Sequence, residues 1–178
     1  ARPRSPRTAA PPQWGTPNGG STWTQLGHYP ISFCNNVIFW NENEGVVLGD
    51  TADGYFEDYY TSNGGTTWTR VPLANYSGVT AQSGEGGWTG VVDVVGDTVL
   101  FGTNMGNVFI SHDKGHTWFG SYSGASTGGL NAGVNEIAFT FDRANAGIGR
   151  RAGWRGRGSR KISLCLLTVG TPGTSKKN

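Results

Sequence analysis

The chain has 178 residues, enough for one domain with a sizeable core, and its 30 Gly and 7 Trp beside a single Met favour short strands and tight turns over helices. No apolar run reaches membrane-spanning length, which excludes a transmembrane helix, and "ARPRSPRTAAPPQ" lacks the apolar middle of a secretion signal, so an exported form would carry its signal outside this chain. The net charge of +2 conceals a segregation: residues 14–142 hold all 12 acidic residues against only Arg70 and Lys114, a net of −10, which excludes nucleic acid as a partner of that region.

Residues 1–13 form a basic Pro/Arg-rich stretch with no strand pattern, read as a disordered tail. From residue 14 the signals are those of short strands and turns. "NVIF" (36–39), "VVLGD" (46–50), "YFEDYYT" (55–61) and "TRVP" (69–72) read as four strands, the last stopped by Pro72. A long connection, "ANYSGVTAQSGEGGWTG" (74–90), leads to a second unit with the same plan: "VVDVV" (91–95), "TVLFGT" (98–103), "NVFIS" (107–111) and "TWFGSY" (117–122). "NEIAFTF" (135–141) reads as the first strand of a further unit.

From Arg143 onward the acidic residues vanish and nine Lys or Arg appear. This basic Arg/Gly-rich segment, 143–178, is read as mostly disordered or out of frame, with "ISLCLLTV" (162–169) able to pair as a strand. "GIGRRA" (147–152) has the outline of a dinucleotide fingerprint but no strand–helix–strand context. "GWRGRGSRK" (153–161), with Trp154, is the one segment suited to polyanions, so nucleic acid is a partner only through this tail. Cys34 and Cys165 are the only cysteines, and neither they nor His28, His112 and His116 show metal-ligand spacing, so no metal or cofactor is expected.

An octapeptide recurs in the last turn of each unit: "TPNGGSTW" (16–23), "TSNGGTTW" (61–68) and "SHDKGHTW" (111–118), with the Trp residues 45 and then 50 positions apart. A period of this size marks repeat architectures, including four-stranded propeller blades. At a tight hairpin a short acceptor, Asn18, Asn63 or Asp113, can receive backbone N–H groups. Gly20, Gly65 and Gly115 supply backbone angles that residues with a Cβ resist, and Trp23, Trp68 and Trp118 fold against the apolar side. An amide serves in two copies, so an acceptor suffices and the acid is a structural brace, not a catalyst.

"S-x-D-x-G-x-T-W" at Ser111–Trp118 resembles the Asp box, or bacterial neuraminidase repeat, of sialidases, xyloglucan-cleaving hydrolases, sortilin-type receptors and non-catalytic propeller proteins. "YYTSNGGTTWTRVP" and "VLFGTNMGNVFISHDKGHTW" are similar to exported bacterial members. The resemblance covers residues 14–142 and implies an all-β fold: a partial β-propeller of four-stranded antiparallel blades, two complete and flanked by partial ones. It implies a secreted or cell-surface location in a bacterium, and as neighbours either the remaining blades of a larger propeller or further copies of the chain.

A sialidase site, by this resemblance, would need three arginines to clamp a carboxylate, and the region offers Arg70. Two facing carboxyl groups would suffice for a glycosidase, so a fragment of a glycoside hydrolase is the alternative to a non-catalytic scaffold that binds a glycan or protein. The resemblance places the ligand face opposite the octapeptide turns, at residues 50–55, 73–90, 103–107 and 121–135. Tyr76, Glu85 and Trp88 on the long connection, with Asn104 on the neighbouring turn, are the candidate ligand residues: an aromatic ring beside a carboxylate suits a sugar. Glu57 and Asp58, adjacent on a strand, point to opposite faces and form no catalytic pair.

Overall fold

A computed structural model describes residues 10–124, 133–134, 137–139, 147–150 and 166–168. Among these residues the chain is all-β, with one 3-10 turn at Leu73–Asn75 and no helix long and apolar enough to cross a membrane.

Strands β1 (Pro12–Gly15) and β2 (Thr24–His28) form an antiparallel hairpin, which starts inside the stretch read as a tail. A four-stranded sheet follows, built from β3 (Cys34–Phe39), β4 (Gly45–Gly49), β7 (Tyr59–Thr61) and β8 (Thr69–Arg70) in that order. The expected strand 55–61 is broken, because β5 (Thr51–Ala52) and β6 (Tyr55–Phe56) pair as their own small hairpin. The Glu57 N–H donates to the Asp50 carbonyl at 2.9 Å, and the chain rejoins the sheet at Tyr59 only after Asp58 has turned inward.

The second sheet has five strands. Those at β10 (Gly87–Val95), β11 (Thr98–Thr103), β12 (Asn107–Ser111) and β13 (Trp118–Tyr122) form the expected antiparallel meander. The fifth, β9 (Tyr76–Gly78), lies parallel to β13 with Trp118 opposite Tyr76. The long connection is thus partly a strand that covers the outer edge, which would otherwise offer unpaired backbone groups. Its approach is tight: a Cβ on Gly78 would collide with the Gly120 carbonyl, and Gly78 sits at φ +77°, so glycine is required there. The last sheet pairs β14 (Ile137–Phe139), β15 (Gly147–Arg150) and β16 (Leu166–Thr168). The segment read as mostly disordered therefore contributes two strands, and the apolar run at 162–169 supplies one of them.

Period-2 alternation divides the second sheet's side chains between two cores. Val99, Phe101, Phe109 and Trp118 meet Val46, Leu48, Phe56 and Val71 of the first sheet's side. Leu100, Val108 and Ile110 face the other way, onto Val134 and Ile137. The aromatic centre is Phe101 stacked on Phe109 at 5.4 Å, with Phe56 edge-on to both at 5.2 and 4.9 Å. Burying a ring of this kind stabilises by about 1.5–3 kcal/mol, so this seam holds the two sheets face to face. On the far side of the first sheet, Trp68 packs edge-on against Tyr29 and Phe39.

Candidate functional site

The three octapeptide turns share one hydrogen-bond scheme. Gly20, Gly65 and Gly115 donate their N–H groups to the hydroxyls of Thr16, Thr61 and Ser111 at 2.8, 3.0 and 2.8 Å. Thr22, Thr67 and Thr117 donate theirs to Asn18, Asn63 and Asp113 at 2.9, 2.9 and 2.8 Å. The threonine hydroxyl resolves the amide–acid difference: it accepts from Asn18 and Asn63 at 2.9 Å but donates to Asp113 at 2.7 Å. Burial raises the Asp113 pKa, but the bonds from Thr117 and Ser111 outweigh it and leave the carboxylate below its ordinary range. Each Trp ring lies over the glycine at the fifth position of its octapeptide, with Cζ2 at 3.8, 3.2 and 3.5 Å from where a Cβ would sit on Gly20, Gly65 and Gly115.

What differs is the cover. Trp118 is 2% exposed, and a Cβ on Gly115 would touch Val46 of the preceding sheet at 2.8 Å. Trp68 is partly covered, donating its indole N–H to Gln13 of the preceding hairpin at 3.3 Å. Trp23 is 59% exposed.

The opposite ends of the strands carry a different architecture. After β4 comes Asp50, after β11 comes Asn104, and between them the Gly84–Gly87 segment is clamped from both sides. The Thr51 N–H and hydroxyl donate to the Glu85 carbonyl at 3.1 and 2.7 Å. Asn104 receives the Gly86 N–H at 3.0 Å and donates its amide to the Gly84 carbonyl at 3.2 Å. The Glu85 side chain, 1% exposed, accepts from Thr103 at 2.6 Å, Asn107 at 2.9 Å and the Gln82 N–H at 2.8 Å. This carboxylate points into the protein and fixes the loop, where the sequence reading had offered it to a ligand.

Above that floor lies a cleft of about 260 Å³ lined by Phe33, Asn35, Asp50, Trp88, Thr89 and Asn104 with three glycines. Phe33 and Trp88 expose their rings. Asn35, nearly buried, donates to Asp50 Oδ1 at 2.8 Å, and among the described residues Asp50 Oδ2 has no hydrogen-bond partner. A Cβ on Gly86 would collide with the Asp50 carboxylate, so the glycine creates the room. Asp50 is the one carboxylate among the lining residues.

Of the four candidate residues, the structure brings Trp88 and Asn104 into this cleft, sets Glu85 beneath it and places Tyr76 elsewhere. Tyr76 donates its hydroxyl to Asp58 at 2.9 Å. Asp58 is fully buried, and burial pushes its pKa up to about 7, while the bonds from Tyr76 and the Gly49 N–H and the nearby Arg70 pull the other way. The Glu57 carboxylate, by contrast, accepts from the Ser32 N–H at 2.7 Å at the surface. Arg70 stacks 3.8 Å from the centre of the Tyr55 ring and donates to the Ala52, Tyr55 and Phe56 carbonyls, so it braces the β5–β6 hairpin. Cys34 is a free thiol, and Cys165 lies outside the described residues.

Sequence reasoning missed Phe33, Asn35 and Asp50 as a group. No local sequence signal groups them; in the structure Trp88 sits within the irregular opening of β10 and Phe33 directly precedes that of β3. No family model, curated protein or solved structure matches the chain.

Proposed function

We propose that the chain is a non-catalytic, exported carbohydrate-binding module built from Asp-box propeller blades, with the Phe33–Trp88 cleft as its ligand site. The observation that carries this reading is the meeting, in one cleft, of two exposed aromatic rings, a carboxylate and a carboxamide at the strand ends opposite the octapeptide turns. Rings give the apolar face of a sugar a platform, and the polar pair orients its hydroxyls. At about 260 Å³ the space lies just below the roughly 300–1,000 Å³ of drug-sized sites, a match for a single ring of a longer glycan.

The Asp-box reading draws support from the common bonding scheme of the three turns and from the stacking of successive sheets. The exposure of Trp23, Trp14 and Leu26, where Trp68 and Trp118 are covered by the preceding unit, favours a further blade or a second copy of the chain on that face. Hydrolysis is disfavoured, since it needs two carboxyl groups and the described lining offers Asp50 alone.

Calorimetric titration with a panel of soluble oligosaccharides tests the reading. At least one should bind, and Trp88→Ala or Gly86→Ala should weaken it about tenfold or more, the second by forcing a methyl into the space of the Asp50 carboxylate. Binding untouched by both variants would refute the assignment.

A further inference from the structure

We infer that the cleft selects sugars bearing a free ammonium group over neutral and anionic ones. This rests on the carbohydrate reading of the same cleft and adds the ligand's charge to it.

The argument begins with Asp50. One of its oxygens is held by Asn35, itself 6% exposed, which fixes the carboxylate's orientation. The other has no hydrogen-bond partner among the described residues, and the group borders the space between Phe33 and Trp88. A carboxylate held this way, against backbone at Gly86 and in the same cleft as two aromatic side chains, has an oxygen free to pair with a cation. The ring faces carry negative quadrupole density and favour a cation as well.

Among the described side chains, none supplies such a cation nearby. Arg70 is committed to Tyr55 and three carbonyls. Lys114 is paired with Glu44 at 2.8 Å at the octapeptide end of the sheets. These two are the only Lys or Arg in residues 14–142, whose net charge is −10. The charge of this region, taken by itself, disfavours uronates and sialates and attracts cations. An amine on a pyranose ring would meet Asp50 Oδ2 in a charge-assisted bond, while Thr89 and Asn35 offer polar atoms to the hydroxyls.

The test compares oligomers of glucosamine, glucose and glucuronate of equal length, titrated calorimetrically into the full chain, its Asp50→Asn variant and its Trp88→Ala variant. Glucosamine oligomers should bind about tenfold or more tighter than glucose oligomers, and added salt should erode that advantage. Glucuronate oligomers should not bind. In Asp50→Asn, with its circular dichroism unchanged, the glucosamine-to-glucose ratio should collapse toward unity, and Trp88→Ala should weaken glucosamine binding.

Equal affinity for glucose and glucosamine, with both lost in Trp88→Ala, would overturn the charge inference and leave the carbohydrate reading standing. Glucosamine binding that survives Trp88→Ala would mark diffuse attraction to an acidic surface and also overturn it. A lysine-rich peptide that outcompetes every sugar at the cleft would replace the amino sugar with a protein ligand. No binding by any oligosaccharide would remove both readings.

Discussion

Replacing Trp118 by Ala and Trp23 by Ala makes the same chemical change at equivalent corners, yet the structure predicts unequal costs. Trp118 is 2% exposed, edge-on to Phe101 at 5.2 Å. A Trp buries about 150–250 Å², worth roughly 4–6 kcal/mol at about 25 cal/mol per Å². Against that stands the Trp118 indole N–H, buried with no partner among the described residues, which costs about 1–3 kcal/mol. Trp118→Ala should therefore destabilise by about 3 kcal/mol. Trp23, 59% exposed, should cost under about 1 kcal/mol. Trp118→Phe, which keeps most of the area and removes the orphan donor, should stay within about 1 kcal/mol of the parent. Urea unfolding followed by far-ultraviolet circular dichroism reads all three. Equal losses at Trp118 and Trp23 would show that burial between sheets is not what the motif's Trp contributes.

Asp113→Asn should change stability by less than about 0.5 kcal/mol in the same assay, because Asn18 and Asn63 already make the equivalent bonds, whereas Asp113→Ala should cost about 1–2 kcal/mol. Asp58 introduces a pH dependence: its folded pKa of about 7 lies above its ordinary 3.8, so its contribution is fully present below pH 3.8 and is lost as pH rises through 7. The loss is on the order of 4 kcal/mol at most, and the difference in unfolding free energy between parent and Asp58→Asn should shrink correspondingly at acid pH. Glu85→Ala strands the donors of Thr103, Asn107 and Gln82 and should cost on the order of 3 kcal/mol. Hydrogen exchange should show the Gly86 amide losing protection in that variant, since the cleft floor depends on this carboxylate.

Elements set by local chemistry were legible in the sequence. The strands at 98–103 and 107–111 occur where alternation and turn residues placed them, and the octapeptide turns form as their side-chain acceptors require. Features set by tertiary contact were not. Nothing local marks Tyr76–Gly78 as a strand, because its partner β13 lies some forty residues on and the pairing is parallel. Glu85 read as a surface acid on a Gly-rich loop, and only the convergence of Thr103, Asn107 and Gln82 makes its burial tolerable. The family resemblance had pointed to the strand ends opposite the octapeptide turns, and the structure puts Trp88 and Asn104 in one cleft there. The cleft's second ring, Phe33, comes from the bend before β3 of the other sheet, and Asp50 gains meaning only once Asn35 and Gly86 surround it.

The division of labour between the two ends of the sheets is most directly tested by the indole N–H resonances of the seven Trp residues, assigned by single substitution and followed through a titration with a bound oligosaccharide. The Trp88 resonance should move while those of Trp23, Trp68 and Trp118 stay in place. Shifts at the three octapeptide Trp residues with Trp88 unmoved would put the ligand at the wrong end of the strands and contradict the account.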